Sequence, residues 1–296
     1  MANLKEIKTR IATVESTQQT TSAMKLISAS KLRKAQATLL QLRPYSDHLH
    51  RIMLQTLQDG ETKLRSPFLD LRKPEKVLLI VVTSNSGLCG GFNTAVLKAA
   101  MDHIKCFYLT NPQVKEISII CFGKKAADFF AKQPYKVVAN YSDLMNNLNY
   151  EEYDKIAEGW LQDYKNHVYD YVDMVCNEFV NAVVYKTMIR RRLPFFIKEE
   201  EIRDLESIKG CLYSPDKDSV VHNLIPLAFK VRSYMRLVES LTAEYAARMT
   251  AMHKATESAI QIQKDLKLRY NKVRQAAITN EIIEITNAAN ALKIGL

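Results

Sequence analysis

Stepping through residues 1–42 by alternating threes and fours meets Leu4, Ile7, Ile11, Val14, Gln18, Thr21, Lys25, Ser28, Leu32, Ala35, Leu39 and Leu42. The stripe is heptad-spaced. It is apolar at both ends and polar in the middle, where the apolar residues Met24 and Ile27 stand one position off it. No glycine precedes Gly60, and the only proline before it is Pro44. The pattern therefore predicts a helix from Leu4 to Leu57, kinked at Pro44 or resumed after it. The far end of the chain repeats the device from Leu227 through Val231, Val238, Leu241, Met252, Ile262, Leu266 and Val273 to Ile283, broken by Arg248, Arg269, Asn280 and Asn287. Between Pro226 and Gly295 there is neither proline nor glycine, so one helix of roughly 65 residues, or about 100 Å, is expected.

Such a stripe gains nothing in water without a cover. The nearest cover is the other end of the same chain. Both helices leave the middle segment, so they should pair antiparallel, with Met24 opposite Ala259. The second helix should outrun the first by roughly ten residues, about 15 Å, and end in an uncovered apolar tip that includes Ile282, Ile283, Ile285, Ala288, Ala289, Ala291, Leu292 and Ile294. Polar residues on the stripe either fix register or meet a partner. The coincidence of Arg248, Arg269 and Asn280 with the polar window of the first helix points to a functional contact.

Between the helices, KVLLIVVT (Lys76 to Thr83) reads as a strand buried on both faces. It runs into the glycine-rich turn Ser84–Asn93 and a helix from Thr94 to about Tyr108. A strand Ile117–Phe122, a short helix, a strand Tyr135–Tyr141, a helix Glu151–His167 and two longer strands, Val172–Asn181 and Val183–Phe196, follow. Alternating strand and helix imply a parallel sheet. The organisation is α/β: a long antiparallel coiled coil of terminal helices, 1–57 and 214–296, with a small Rossmann-like α/β domain, 75–213, inserted between them.

Candidate chemistry is sparse. Strand, glycine turn and helix N-terminus together suggest an anion site, but Gly87-x-x-Gly90-Gly91 matches neither common phosphate-binding spacing and brings no lysine. Its glycines serve a tight turn. His48 and His50 fall in a predicted helix where they cannot face one metal, and His103, His167, His222 and His253 are isolated. Arg190-Arg191-Arg192 reads as a charged sheet edge. The five cysteines, Cys89, Cys106, Cys121, Cys176 and Cys211, show no C-x-x-C pair, and buried spectator thiols are expected of Cys89 and Cys121. No catalytic set, metal cluster or cofactor motif is readable.

Charge adds the next constraint. The chain has 296 residues and a net charge of +10. Residues 1–43 and 226–296 together carry +11, leaving −1 for the middle, so the ends are built to meet an acidic surface. The longest apolar run, Val77–Val82, is too short to span a membrane, and the N-terminus lacks a signal-peptide core. A cytoplasmic start is expected. A basic coiled coil that binds nucleic acid is the alternative reading; the apolar tip and the lack of base-reading aromatics on these helices count against it.

Four strings narrow the choice: LKEIKTRIATVESTQQTTSAMKLISASKLRKAQ, TSNSGLCGGFNT, LVESLTAEYAARMTAMHKATESA and YNKVRQAAITNEIIEITNAANAL. In this order, end to end, they resemble the gamma subunit of F-type ATP synthases, of the bacterial type. The resemblance implies a rotor without catalytic residues or cofactor, turning inside a 3:3 hexamer of alpha and beta subunits. Its α/β domain would sit against the epsilon subunit and the c-ring, peripheral on the cytoplasmic face of the bacterial inner membrane. It also implies that Met24, Glu244, Arg248, Arg274, Gln275, Thr279 and Glu281 form the coupling region against the beta subunits, and that Ile285, Ala288, Ala289 and Leu292 ride in an apolar bearing. Two departures stand out. Asn85 and Ser86 replace the family's Asp-Arg, which is expected to weaken a contact of the middle domain, and Ala288 replaces a glycine, which stiffens the tip by about 1 kcal/mol of helix propensity.

Overall fold

The computed structural model describes residues 4–58, 66–195, 213–214 and 216–294, with side chains to 290 in the last helix. The elements are α1 (Leu4–Gln58), β1 (Lys76–Val82), α2 (Phe92–His103), β2 (Glu116–Phe122), α3 (Lys124–Phe130), β3 (Lys136–Asn140), α4 (Tyr150–Lys165), β4 (Tyr171–Phe179), β5 (Tyr185–Leu193) and α5 (Lys217–Ile294). Two compact units share these elements: residues 1–28 with 249–296, and residues 29–248.

In the larger unit the sheet order is β3-β2-β1-β4-β5. The first four strands run parallel and β5 returns antiparallel to β4. The parallel pattern expected of alternating strands and helices stops at β5, where no helix intervenes and only residues 180–184 separate it from β4. A connection that short makes a hairpin and cannot cross over the sheet, and the amides of Val180 and Asn181 both donate to the carbonyl of Val184.

β1 lies in the centre, and Val77 to Val82 are all fully buried, as a continuous apolar run requires. One sheet face packs Val77, Leu79, Val81, Ile119 and Cys121 against Val96, Ala100 and Ile104 of α2 and its extension, and Ala126 and Phe130 of α3. On the other side Phe122 meets Trp160 of α4 edge-on at 5.9 Å, and Trp160 meets Phe229 of α5 at 6.5 Å. The long C-terminal helix is thus part of the domain's core.

That explains why α5 starts at Lys217 and passes through Pro226, where the sequence pattern placed its beginning. Val221, Ile225, Ala228 and Phe229 are buried on the domain, and this burial offsets the amide hydrogen bond lost at the proline. Pro44 is likewise inside α1.

α2 does not end cleanly. One wide turn, Ile104–Tyr108, continues it and sets the Tyr108 hydroxyl 2.6 Å from the buried carboxylate of Asp173 on β4. His103 and Arg191 reach the same carboxylate at 3.0 and 3.1 Å. Burial alone would raise the Asp173 pKa; bonds from His103, Arg191 and Tyr108 hold it below the usual value instead. The Arg190-Arg191-Arg192 edge is therefore not uniformly solvated. Arg190 is exposed, Arg191 neutralises Asp173, and Arg192 is buried.

In the smaller unit the N-terminal part of α1 pairs antiparallel with α5. The Thr21 and Thr256 hydroxyls are 2.8 Å apart, and Lys25 Nζ lies 3.2 Å from His253 Nδ1. Met24 therefore faces the stretch around residues 253–256. The expected match with Ala259 is off by about a turn and a half, because the polar window pairs with polar residues and a heptad stripe alone tolerates either register. The shift lengthens the overhang. Leu4 falls opposite residues near Val273, so about twenty residues of α5, roughly 30 Å, extend beyond α1, twice the length expected. Residues 278–290 are exposed throughout.

Gly123 joins β2 to α3 with φ +105°, and a Cβ there would stand 2.2 Å from the Thr83 carbonyl oxygen. Gly123→Ala is expected to destabilise the domain by about 3 kcal/mol or more, since the clash is with backbone and the φ is costly for any side chain. Denaturant unfolding checks this; a change below about 1 kcal/mol would show that the turn relaxes freely.

Candidate functional site

The polar window of the stripe is a set of matched pairs. Thr21 meets Thr256, Lys25 meets His253, and the Ser28 hydroxyl folds back onto the carbonyl of Met24 at 2.8 Å. These hydroxyls fill positions where a heptad would place leucines, and they drive the neighbouring apolar residues outward. Leu26 and Ile27 are 68% and 58% exposed, and Met24 beside them is half-buried. An exposed apolar patch on a basic helix is a docking surface in waiting.

Further along α5, Ile260, Ile262, Leu268, Ile278, Ile282, Ile283 and Ile285 are exposed as well. Arg274, Gln275, Thr279 and Glu281 are all solvent-facing, with the Thr279 hydroxyl bonded to the Gln275 carbonyl at 2.9 Å. Four carriers of hydrogen bonding within two helical turns can reach a partner without unfolding anything. Ile285, Ala288 and Ala289 are exposed, Ile285 by 69%. The Leu292 side chain lies outside the described residues.

In the larger unit Glu244 and Arg248 are brought together. Arg248 Nη1 donates to Glu244 Oε1 at 2.6 Å, and both residues are buried. The second guanidinium nitrogen of Arg248 donates to the hydroxyl and the carbonyl of Ser86, at 2.9 and 3.1 Å, and to the Gly87 carbonyl at 3.4 Å. The glycine turn therefore offers carbonyl oxygens to a cation. Its polarity is opposite to that of a phosphate-binding loop, which offers N–H groups to an anion.

The turn is shaped for this. Leu88 and Gly90 both have positive φ, 64° and 60°, and Asn93 at the start of α2 ties the Ser84 hydroxyl and the Cys89 thiol. The Asn85 side chain binds the Ser142 carbonyl, Asn146 and the Lys124 amide. Both residues of the departure expected to weaken a local contact, Asn85 and Ser86, thus carry several bonds. Nothing in the sequence linked Ser86 to Arg248, since 162 positions separate them.

A second charge network was also invisible beforehand. Glu239 of α5, buried, accepts from Arg43 of α1 at 2.9 Å and pairs with Arg236, which also holds Glu178 of β4 at 2.8 Å. Arg43 further donates to the Phe179 carbonyl. One carboxylate thus joins α1, α5 and the sheet, and each arginine still compensates it if the other is lost. His50, one of the two histidines weighed as metal ligands, instead lies 2.7 Å from Arg232.

Comparison with known proteins follows this geometry closely. The ATP synthase family model matches residues 3–292. An ATP synthase gamma chain of Amoebophilus asiaticus is 39% identical over 292 residues, covering 99% of both chains. That of Christiangramia forsetii is 40% identical over 293 residues with the same coverage. Among solved structures, a chain of the Euglena gracilis mitochondrial ATP synthase assembly described as OSCP/F1/c-ring superposes with a TM-score of 0.68 at 21% identity, over 99% of this chain and 95% of that one. A chain of the Tetrahymena thermophila central stalk/c-ring superposes with a TM-score of 0.58 at 23% identity, over 79% of this chain and 98% of that one.

Burial raises the Glu244 pKa above its ordinary 4.5, and Arg248 opposes the rise. A carboxyl whose folded pKa is raised contributes stability that is present below pH 4.5 and is lost as pH rises through the folded value. Arg248→Met removes the opposing charge and lifts that value further. The variant should lose about 2–4 kcal/mol near neutrality and recover part of it on acidification towards pH 5. Denaturant unfolding at several pH values reads this; parallel pH profiles for variant and parent would refute it.

Proposed function

The chain belongs to the ATP synthase gamma-chain family, and from that premise we propose that it is the central rotor stalk of a proton-translocating synthase. It carries no catalytic step. Three partner classes suit its surfaces: the alpha and beta subunits around the coiled coil, the epsilon subunit beside the α/β domain, and the c-ring beneath it. The complex holds the chain at the cytoplasmic face of the bacterial inner membrane, and no helix among the described residues is long and apolar enough to cross it.

The observation that carries this reading is the uncovered end of α5, some twenty residues of helix with exposed isoleucines. Hydrophobic surface of this extent is stable only inside a host, and an alpha–beta hexamer with an apolar sleeve provides one. Ile285, Ala288, Ala289 and Leu292 make the bearing.

Coupling follows from an off-axis coil. As the ring turns, each beta subunit meets the exposed Met24 patch, then the basic faces of both helices, then neither. Each contact biases that catalytic site between open and closed by differential binding. Arg274, Gln275, Thr279 and Glu281 are free to catch a beta loop. Glu244 and Arg248 contribute from the buried side by holding α5 to the glycine turn, and they meet the beta subunits only through that support.

Met24→Lys sets a second cation beside Lys25 and removes an apolar contact. Proton pumping per ATP hydrolysed in inverted membrane vesicles should fall about fivefold, equivalent to about 1 kcal/mol of coupling, with assembly intact. Undiminished pumping would reject the role.

Deletion from Asn287 onward should leave folding untouched, because residues 287–290 are exposed, while turnover of the assembled enzyme becomes less efficiently coupled. A truncated chain that fails to fold would overturn the bearing model.

A further inference from the structure

Arg192 occupies an irregular place. In the β4–β5 ladder Asp173 pairs with Arg191 and Val172 with Leu193, so Arg192 is the residue the register skips. Bulges of this kind re-aim a side chain. Here the guanidinium is carried into the domain, where Arg192 is only 8% exposed.

Its surroundings do not neutralise it. Nε and Nη2 of Arg192 meet no hydrogen-bond acceptor among the described residues. The groups that act on it most strongly are the Cys176 thiol, Arg236, Arg232 and the Tyr153 phenol. Burial pushes the Cys176 thiol up to about 11 and the Tyr153 phenol higher still, so both are neutral at pH 7. Among the described residues the acids of the neighbourhood are engaged elsewhere. Asp173 holds Arg191, His103 and Tyr108, while Glu178 and Glu239 hold Arg236 and Arg43. Burial and the two flanking arginines together lower the Arg192 pKa to about 10, which leaves it charged at pH 7.

Other donors gather round it. The adjacent hydroxyls of Tyr153 on α4 and Ser233 on α5 are fully buried and have only each other as partners among the described residues, while Arg236 Nε has none. A buried cation with open N–H groups, the open Nε of a second guanidinium and a pair of hydroxyls with a proton to spare has the composition of a halide cradle: rich in donors, positive at Arg192, and closed to solvent. Buried donors without partners are costly and call for a water or an ion, and the charge selects the ion.

We propose that Arg192, with Tyr153, Ser233 and Arg236, binds one small inorganic anion of halide size inside the α/β domain. The enclosure argues against anything larger, since Tyr153 and Ser233 are wholly inaccessible. The ion would lock β5, α4 and α5 together, fastening the C-terminal helix to the sheet beside the Glu239 network.

The chain supplies its own reporter. Trp160 is the only tryptophan, it is buried, and its ring lies 6.0 Å from that of Tyr153. Bulk collisions barely reach it, so quenching by bromide or iodide requires a bound ion. Titration of the full-length chain with sodium bromide at constant ionic strength, balanced with sodium gluconate, should give a saturable loss of Trp160 fluorescence, and chloride should compete. Arg192→Met should weaken the saturable phase at least tenfold; Ser233→Ala, a milder change, should weaken it severalfold and serves if the first variant does not fold. Quenching that stays linear in bromide, or is absent, identifies a water in this place and overturns the proposal. A saturable phase that survives both substitutions places the halide elsewhere and overturns it equally.

Discussion

Everything in this chain depends on the apolar stripe of a single long helix finding cover. α5 runs from Lys217 to Ile294 without glycine, and isolated helices gain little in water whatever their propensity. Its stripe is covered in three successive ways. Near its start the α/β domain takes it, through Phe229, Ile225 and Val221. Beyond that, α1 takes it, first through Leu39 and Leu32 and later through the threonine pair. Past Ala277, to residue 290, nothing among the described residues does. Domain, coil and bearing are stages of one burial problem, and the last stage is left to another molecule.

Polar groups decide how the cover is fitted. A stripe of leucines can slide by a heptad at little cost, whereas a threonine facing a threonine cannot, because a slipped hydroxyl would lose its partner. Arg248 plays the same part at the domain. Its guanidinium needs four oxygens at once, from Glu244, Ser86 and Gly87, and only one placement of the glycine turn on α5 provides them. Apolar burial supplies the driving force, and buried hydrogen bonds select the arrangement.

Much of this was readable in the residues. The two terminal helices, the inserted α/β domain and the family resemblance follow from heptad spacing, alternating elements and four strings in order. What escaped reading has a common cause. Register, the Arg248–Ser86 contact and the environments of Arg190, Arg191 and Arg192 all depend on groups far apart in sequence, and a local pattern carries no information about them. The triple arginine shows this best. As a string it is a solvated edge, yet Asp173 in the opposing strand and a one-residue bulge give its members three different surroundings. A lone aspartate in the apolar run Val172–Cys176 was the one hint that a cation must come to it.

The uncovered end of α5 also bears on the life of the chain before assembly. A polypeptide whose last described turns expose isoleucines is adhesive from the moment it folds. Copies made in excess of their hosts would cluster with one another or be cleared by proteases. Supply of this subunit must therefore track that of its hexamer, and the same residues proposed as a bearing would act as a quality-control tag on any copy left over.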